Sequence, residues 1–178
     1  INAERDGGRW MTMHLLDLGH KTVFYVGRVQ GATDNTRANG WKDALEERGI
    51  EAPDPIVVSD GNLEKAVKAG HELGRRGEAT AIFADSDETA IAVIRGLRET
   101  GRRVPDDVSV VGFDDRNFGA LWEPSLTSYT QNFLDMGERS FRMLFEQIQA
   151  KRTGADMPPS QIEVVQGQPC LRASEREI

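Results

Sequence analysis

The sequence lacks three features, and each absence excludes a class of protein. Cys170 is the only cysteine among 178 residues, which excludes an internal disulfide and a metal cage built of cysteines. No apolar run approaches the roughly 20 residues that a membrane-spanning helix requires. Positive charge is not in excess either. The formal net charge is −7, and we expect weak non-specific attraction to nucleic acid because phosphate binding relies on clustered Lys and Arg.

Signals for export and for catalysis are also missing. Residues 1–6 carry no basic head followed by an apolar core, so they do not predict a signal peptide, and we expect a cytoplasmic protein. The start without Met leads us to expect a fragment or a processed chain. His14, His20 and His71 have no evident nucleophile partner, and neither a glycine-rich phosphate loop nor a metal-ligand cluster occurs. We therefore expect no enzyme and no bound metal or cofactor, and His20 is interpreted as structural.

What the sequence does contain is a regular alternation of two apolar patterns. Short apolar runs predict buried strands, and apolar residues at helical spacing predict the helices between them. The predicted strands cover 22–26, 55–58, 80–84 and 108–111, and the predicted helices cover 3–18, 34–48, 63–76 and 89–100. This alternation predicts an α/β fold with a doubly wound, mostly parallel sheet and right-handed crossovers.

The strand at 108–111 leads directly to a candidate site. Asp114 and Asp115 follow it, after a turn at Gly112. In open α/β sheets, ligands bind in the crevice beyond the carboxyl ends of the strands, so these two carboxylates are candidate ligand-binding groups. The alternative is that one of them caps the next helix, predicted over 116–121.

Two further polar positions lie at the same predicted edge of the sheet. Arg37 is in the first turn of a helix that Asp34 is predicted to cap, beside the loop 27–33. Its guanidinium could donate to paired hydroxyls or to a carboxylate, although a solvated arginine is the alternative. Ser86 and Asp87 follow the strand 80–84. Capping of the next helix by Ser86 or Asp87 is favoured over a Mg²⁺ or catalytic site at Asp85 and Asp87, because no further carboxylate cluster or phosphate loop accompanies those two acids.

The last third of the chain has a different organisation. An extended segment at 126–131 precedes a helix from Phe133 to about Lys151, and a linker at 154–159 precedes strands predicted at 162–165 and 169–172. The helix carries the clearest amphipathic stripe of the chain, formed by Phe133, Met136, Phe141, Leu144, Phe145 and Ile148.

Several short motifs together resemble one known family. The motif VPDDVSVVGFDD stands at 104–115 and PSLTS at 124–128, with further matching pieces at 18–20, 37–41 and 171–174. In this order and spacing they resemble the lac/gal repressor (LacI-type) transcription regulators along nearly the whole chain. The resemblance implies a periplasmic-binding-protein-like (type I) lobe, and implies that the DNA-binding head and the first part of the core are absent from this sequence.

The resemblance also implies a division of the chain. Residues 1–127 would form the carboxyl-proximal effector-binding lobe, and residues 128–159 a return helix that belongs to the amino-proximal lobe. Residues 160–178 would form terminal strands that complete the lobe. With the other lobe absent, we expect the apolar stripe to pack against a second copy of the chain rather than fold back on its own lobe. A longer parent chain would also account for the stripe.

The site residues that the resemblance implies are Arg37 and Asp114 as polar anchors, with Ser86, Gln131 and Phe133 as further ligand-binding positions. Ser86 departs from the asparagine that relatives commonly place there, and Gly61 stands where some relatives carry an aromatic ring. The carboxylate and the guanidinium suit a sugar, and a nucleoside or similar polar metabolite fits almost as well.

The function implied is that of a repressor's effector-binding and dimerisation region, without membrane contact. Its partners would be a small-molecule effector, a second copy and, only through the absent head, operator DNA. Effector-driven closure of two lobes would shift the DNA heads. The alternative is an exported sugar-binding protein of a transport system with the same fold.

Overall fold

Helices and strands alternate along the chain in the computed structural model, which describes residues 1–30, 36–58, 61–159 and 161–178. The helices are α1 (Glu4–Asp17), α2 (Arg37–Glu47), α3 (Leu63–Arg75), α4 (Asp87–Glu99) and α5 (Phe133–Thr153), with a 3-10 turn at Gly119–Leu121. The strands are β1 (Phe24–Gly27), β2 (Ile56–Val57), β3 (Ala81–Ala84), β4 (Ser109–Val111), β5 (Ser128–Thr130) and β6 (Gln168–Cys170).

A parallel sheet of order β2-β1-β3-β4 forms the centre of the molecule. Every residue of β1, β3 and β4 is buried, because helices cover both faces. After β4 the chain turns and comes back beside it, with parallel bridges from Val111 to Thr127 and from Asp114 to Thr130. The prediction of a mostly parallel α/β sheet is therefore confirmed.

Two helix layers enclose the sheet. One core contains apolar side chains of α1 and α2, including Leu15 and Trp41, and the other contains those of α3 and α4, including Leu73 and Val93. Alternate residues of β1 join opposite cores, as the pleat of a strand requires. Glycine permits the closest helix contacts: a Cβ on Gly40 would lie 1.9 Å from the Arg5 carbonyl oxygen.

The structure corrects two predictions about local structure, and a third concerns a residue outside the described ones. The predicted strand at 162–165 is reduced to one bridge between Val165 and Asn2, because the described residues place no strand beside the exposed Ile162. The predicted helix at 116–121 is only a 3-10 turn over its last three residues. The predicted cap Asp34 lies outside the described residues, and Thr36 caps α2 by accepting from the Asn39 amide at 3.1 Å.

Helix α5 stands apart from both cores. It is 21 residues long, begins at an Asn132 cap and ends at Gly154, whose φ is 71°. Its apolar stripe does not fold back on the lobe, since Phe141 is 69% exposed and Leu144 is 56% exposed. The helix therefore presents an uncovered apolar face. None of the helices in the described residues has the length and apolarity needed to cross a membrane.

Candidate ligand-binding site

The centre of the candidate site is a nearly buried ion pair at the carboxyl edge of the sheet. Arg37, the first residue of α2, donates from Nη2 to Asp114 Oδ1 at 2.8 Å. Its side chain is 9% exposed and that of Asp114 is 12% exposed. Arg37 also donates to the backbone carbonyl of Asp85, and its guanidinium lies 4.0 Å from the centre of the Phe113 ring. Its orientation is therefore set by a carboxylate, a carbonyl and an aromatic face.

Gln131 joins this pair. Its side-chain amide donates to the same Asp114 Oδ1 that accepts from Arg37, and its own side-chain oxygen accepts from the Asn2 amide group. Glu4 lies at the margin, with Oε1 3.3 Å from Arg37 Nη2. Residues predicted from distant parts of the sequence thus meet in one place, and we call Arg37, Asp114 and Gln131 the polar cluster.

The other two predicted site residues have different surroundings. Ser86 caps α4, since its hydroxyl oxygen accepts from the Thr89 amide at 3.2 Å and bonds the Thr89 hydroxyl at 3.0 Å. The helix-capping interpretation of Ser86 is confirmed. Phe133 begins α5 and is 47% exposed. Their contact with a ligand stays a prediction.

The loop that carries Asp114 has an unusual backbone. Asp114 has φ 93° and Asp115 has φ 50°, in the left-handed region that residues other than glycine seldom adopt. Neither acid caps a helix, so that alternative is wrong: Asp114 pairs with Arg37, and Asp115 lies 2.7 Å from Arg172. The carboxylates are drawn instead to arginines from other parts of the chain.

Asp87 lies behind this loop rather than at a metal site. Its side chain accepts from the Ser128 hydroxyl and from the Arg116 amide, both at 2.6 Å. Burial raises the pKa of Asp87 to about 6. In the described part of the chain, no group of His, Cys, Asp and Glu is arranged to hold a metal ion.

His20 lies at the opposite edge of the sheet, as a structural residue. It is 4% exposed, and its ring nitrogens are 3.0 Å from the Thr80 hydroxyl and 3.1 Å from the Ser109 hydroxyl. Burial lowers the pKa of His20, which favours the neutral ring. The structural interpretation is confirmed.

The sequence analysis gave no ligand-site role to two residues beside the polar cluster. Phe113 supplies the ring under Arg37 and stacks on Tyr129, with ring centres 5.1 Å apart. Asp85 supplies its carbonyl to Arg37, while its carboxylate accepts from the Arg28 amide at 2.8 Å. Both residues lie within two positions of a strand's carboxyl end. This position is the sequence signal that could have identified them as site residues.

A parallel sheet between two helix layers, with a guanidinium–carboxylate pair beyond its strand ends, defines the class: an α/β lobe with the architecture of small-molecule-binding proteins. The family model for the periplasmic binding protein-like domain matches residues 12–174. The chain belongs to this family, and it matches the effector-binding core of LacI-type regulators. The resemblance seen in the sequence is confirmed.

Individual relatives agree with this assignment. The chain is 35% identical to the HTH-type transcriptional regulator CelR of Thermobifida fusca over 150 residues, which are 83% of this chain and 44% of CelR. It is 34% identical to the HTH-type transcriptional repressor PurR of Haemophilus influenzae over 155 residues, which are 84% of this chain and 45% of PurR. The chain thus spans about half the length of these curated relatives.

A solved structure is similar over almost the whole chain. The LacI family transcriptional regulator from Enterococcus faecium, with bound ribose, has a TM-score of 0.84 and 27% identity to this chain. The match covers 99% of this chain and 65% of that one.

Proposed function

We propose that this chain is the larger part of the small-molecule-binding region of a LacI-type transcriptional repressor that acts in the cytoplasm. The observation that carries the proposal is the nearly buried Arg37–Asp114 pair at the carboxyl edge of the sheet. The relatives CelR and PurR are transcription regulators, which favours this function over the exported sugar-binding protein. We also propose that the protein binds this small molecule without converting it chemically.

The polar cluster suits a ligand with several hydroxyl groups. A carboxylate accepts hydrogen bonds from hydroxyls, a guanidinium donates to them, and an amide does both. Asp114 Oδ1 is already shared by Arg37 and Gln131, so a ligand would exchange some of these bonds or use Oδ2. The Enterococcus faecium regulator binds ribose, which supports a sugar, and a nucleoside carries the same hydroxyl pair. Ser86 and Phe133 would extend the site toward the base or ring of such a ligand.

The remainder of the site would come from the other part of the parent protein. We assign residues 1–127 to the carboxyl-proximal lobe, 128–159 to a return helix of the amino-proximal lobe, and 160–178 to the terminal strands. The uncovered apolar face of α5 supports this division, because such a face is stable only when another surface covers it. Closure of two lobes around the ligand would then reposition DNA-binding heads in a dimer.

Calorimetric titration of the complete parent protein tests this function. D-ribose and a set of other sugars and nucleosides are the probes, and the expected result is saturable binding of one of them that raises the melting temperature. Operator DNA affinity is then measured with and without that compound. If none of the compounds binds, or if the binding compound leaves DNA affinity unchanged, the proposed function is wrong.

A further inference from the structure

Asp87, in α4, contacts two other segments around the candidate site. It is the first residue of α4 and is fully buried. Its Oδ2 accepts from the Arg116 amide and its Oδ1 accepts from the Ser128 hydroxyl, each at 2.6 Å. Its own amide donates to the Phe113 carbonyl at 2.9 Å. One residue thereby joins α4, the loop after β4 and the start of β5.

The loop after β4 requires such support. Asp114 and Asp115 have φ values of 93° and 50°, a conformation that persists only where surrounding contacts impose it. The Ser128 hydroxyl oxygen that donates to Asp87 also accepts from the Asp115 amide at 3.0 Å. Asp87 therefore holds the Arg116 amide directly and the Asp115 amide through Ser128.

Three observations separate this role from helix capping. Ser86 already caps α4, so Asp87 is not needed for that purpose. The Asp87 carboxylate also lies close to Gly112, which has no side chain. A Cβ at Gly112 would lie 2.4 Å from Asp87 Oδ1. Burial raises the pKa of Asp87 to about 6, so keeping this carboxylate ionised costs free energy. An exposed capping acid would not have this cost.

We propose that Asp87 is a positioning residue, which holds the Asp114–Arg116 loop in its left-handed conformation and so directs the Asp114 carboxylate to Arg37 and Gln131. Ser128 has the same role, because its hydroxyl group links the Asp87 carboxylate to the Asp115 amide. The consequence for ligand affinity rests on the proposed function, whereas the consequence for loop conformation does not.

Amide hydrogen exchange, measured by NMR on the full chain without ligand, tests the conformational part. In Asp87→Ala we expect the Asp115 and Arg116 amides to exchange roughly tenfold faster or more, because each loses its support. In Ser128→Ala we expect the change at Asp115, and this variant carries the test if Asp87→Ala does not fold. Asp87→Asn should restore protection at Arg116, because the Asn oxygen can still accept from that amide.

Glu88→Gln is the matched control. It removes the neighbouring first-turn carboxylate, which is partly exposed and lies 3.8 Å from the Arg116 side chain. Both loop amides should be unchanged, because they donate to Asp87 and Ser128 and not to Glu88. The amide of Phe83, in the centre of the sheet, reports global stability. Unchanged exchange at Asp115 and Arg116 in Asp87→Ala, or equal acceleration at all three amides, would overturn the positioning role.

Titration with D-ribose tests whether Asp87 and Ser128 affect ligand affinity. If ribose binds the wild-type protein, we expect Asp87→Ala and Ser128→Ala to weaken its binding roughly tenfold or more while Glu88→Gln does not. Faster loop exchange with unchanged ribose affinity would overturn the directing role. If ribose does not bind the wild-type protein, the choice of sugar is wrong, and the exchange measurement alone decides the positioning role.

Discussion

At the scale of single residues, Asp114 Oδ1 is the atom on which the polar cluster converges. Arg37 and Gln131 both donate to it, although 77 and 17 residues separate them from it in the sequence. Nearly buried charges interact more strongly than solvated ones, because less water screens them. Substitutions here should therefore change ligand affinity more than equivalent substitutions of exposed charges.

We expect Arg37→Ala and Asp114→Ala each to weaken ligand binding in the complete protein by roughly 1.5–3 kcal/mol, the value of a hydrogen bond to a charged group. Titration calorimetry measures the loss, and circular dichroism verifies that both variants fold. Arg95→Ala is the control for charge, since the Arg95 side chain is 70% exposed. Unchanged affinity in both site variants would show that the ligand binds elsewhere.

Asp87 gives a prediction about pH at the same scale. Burial raises its pKa from 3.8 to about 6, so the folded protein takes up a proton between those values that the unfolded chain does not. Its contribution to stability is present below about pH 4 and is lost as pH rises through 6. Relative to Asp87→Asn, the wild-type protein should therefore lose roughly 2 kcal/mol between pH 4 and pH 7.

Urea unfolding of both proteins across this range measures the difference. Groups that the two proteins share, such as His20, act in both and cancel from the comparison. If the difference between the two proteins does not change with pH, Asp87 has an ordinary pKa in the folded state.

At the scale of elements, glycines set how closely the helices approach. A Cβ at Gly40 would lie 1.9 Å from the Arg5 carbonyl oxygen and 2.6 Å from the Arg9 amide nitrogen, both backbone atoms of α1. On the other face, a Cβ at Gly70 would lie 2.9 Å from the Gly96 Cα. The backbone cannot yield as a flexible side chain can, so these contacts fix the spacing within each helix layer.

We expect Gly40→Ala to destabilise the protein by roughly 1–3 kcal/mol, because the added methyl group must push α1 and α2 apart. Gly137→Ala on α5 is the matched control. A Cβ there meets nothing within 4 Å, so higher helix propensity should stabilise the protein by up to about 1 kcal/mol. Urea unfolding measures whether each variant is more or less stable than the wild-type protein. Equal changes in the free energy of unfolding would contradict the packing argument.

At the scale of the whole molecule, the exposed stripe of α5 governs association. Phe141 and Phe145 stack with ring centres 6.1 Å apart on a face that the described lobe leaves uncovered. Each such side chain contributes roughly 1.5–3 kcal/mol when fully buried. In the isolated chain, burial against a second copy is the available way to gain this energy.

We therefore expect the isolated chain to sediment as a dimer or larger species at micromolar concentration. The double variant Phe141→Glu, Phe145→Glu should sediment as a monomer, because two charges would be buried in the contact. Glu146→Lys reverses an exposed charge on the side of the helix opposite Leu144 and Ile148, and it should leave association unchanged. A wild-type chain that sediments as a monomer would contradict self-association through this face.

The local features of this protein follow from its sequence without knowledge of the fold. Buried strands such as Ala81–Ala84 follow from short apolar runs, and the Ser86 cap follows from residue chemistry within one turn. The position of Asp114 just beyond β4 also follows locally, because Gly112 ends the strand. These signals are contained within a few neighbouring residues, which is why they were predictable.

The tertiary structure alone decided which distant residues meet. It brought Gln131 to Asp114 but used Ser86 for its helix, and it left Phe133 at the exposed start of α5. It also placed Ser128 against Asp87, 41 residues away, and among the described residues it gave 162–165 one bridge, from Val165 to Asn2. Such contacts depend on how the crossovers pack the helices on the sheet, and no pattern of neighbouring residues records that packing.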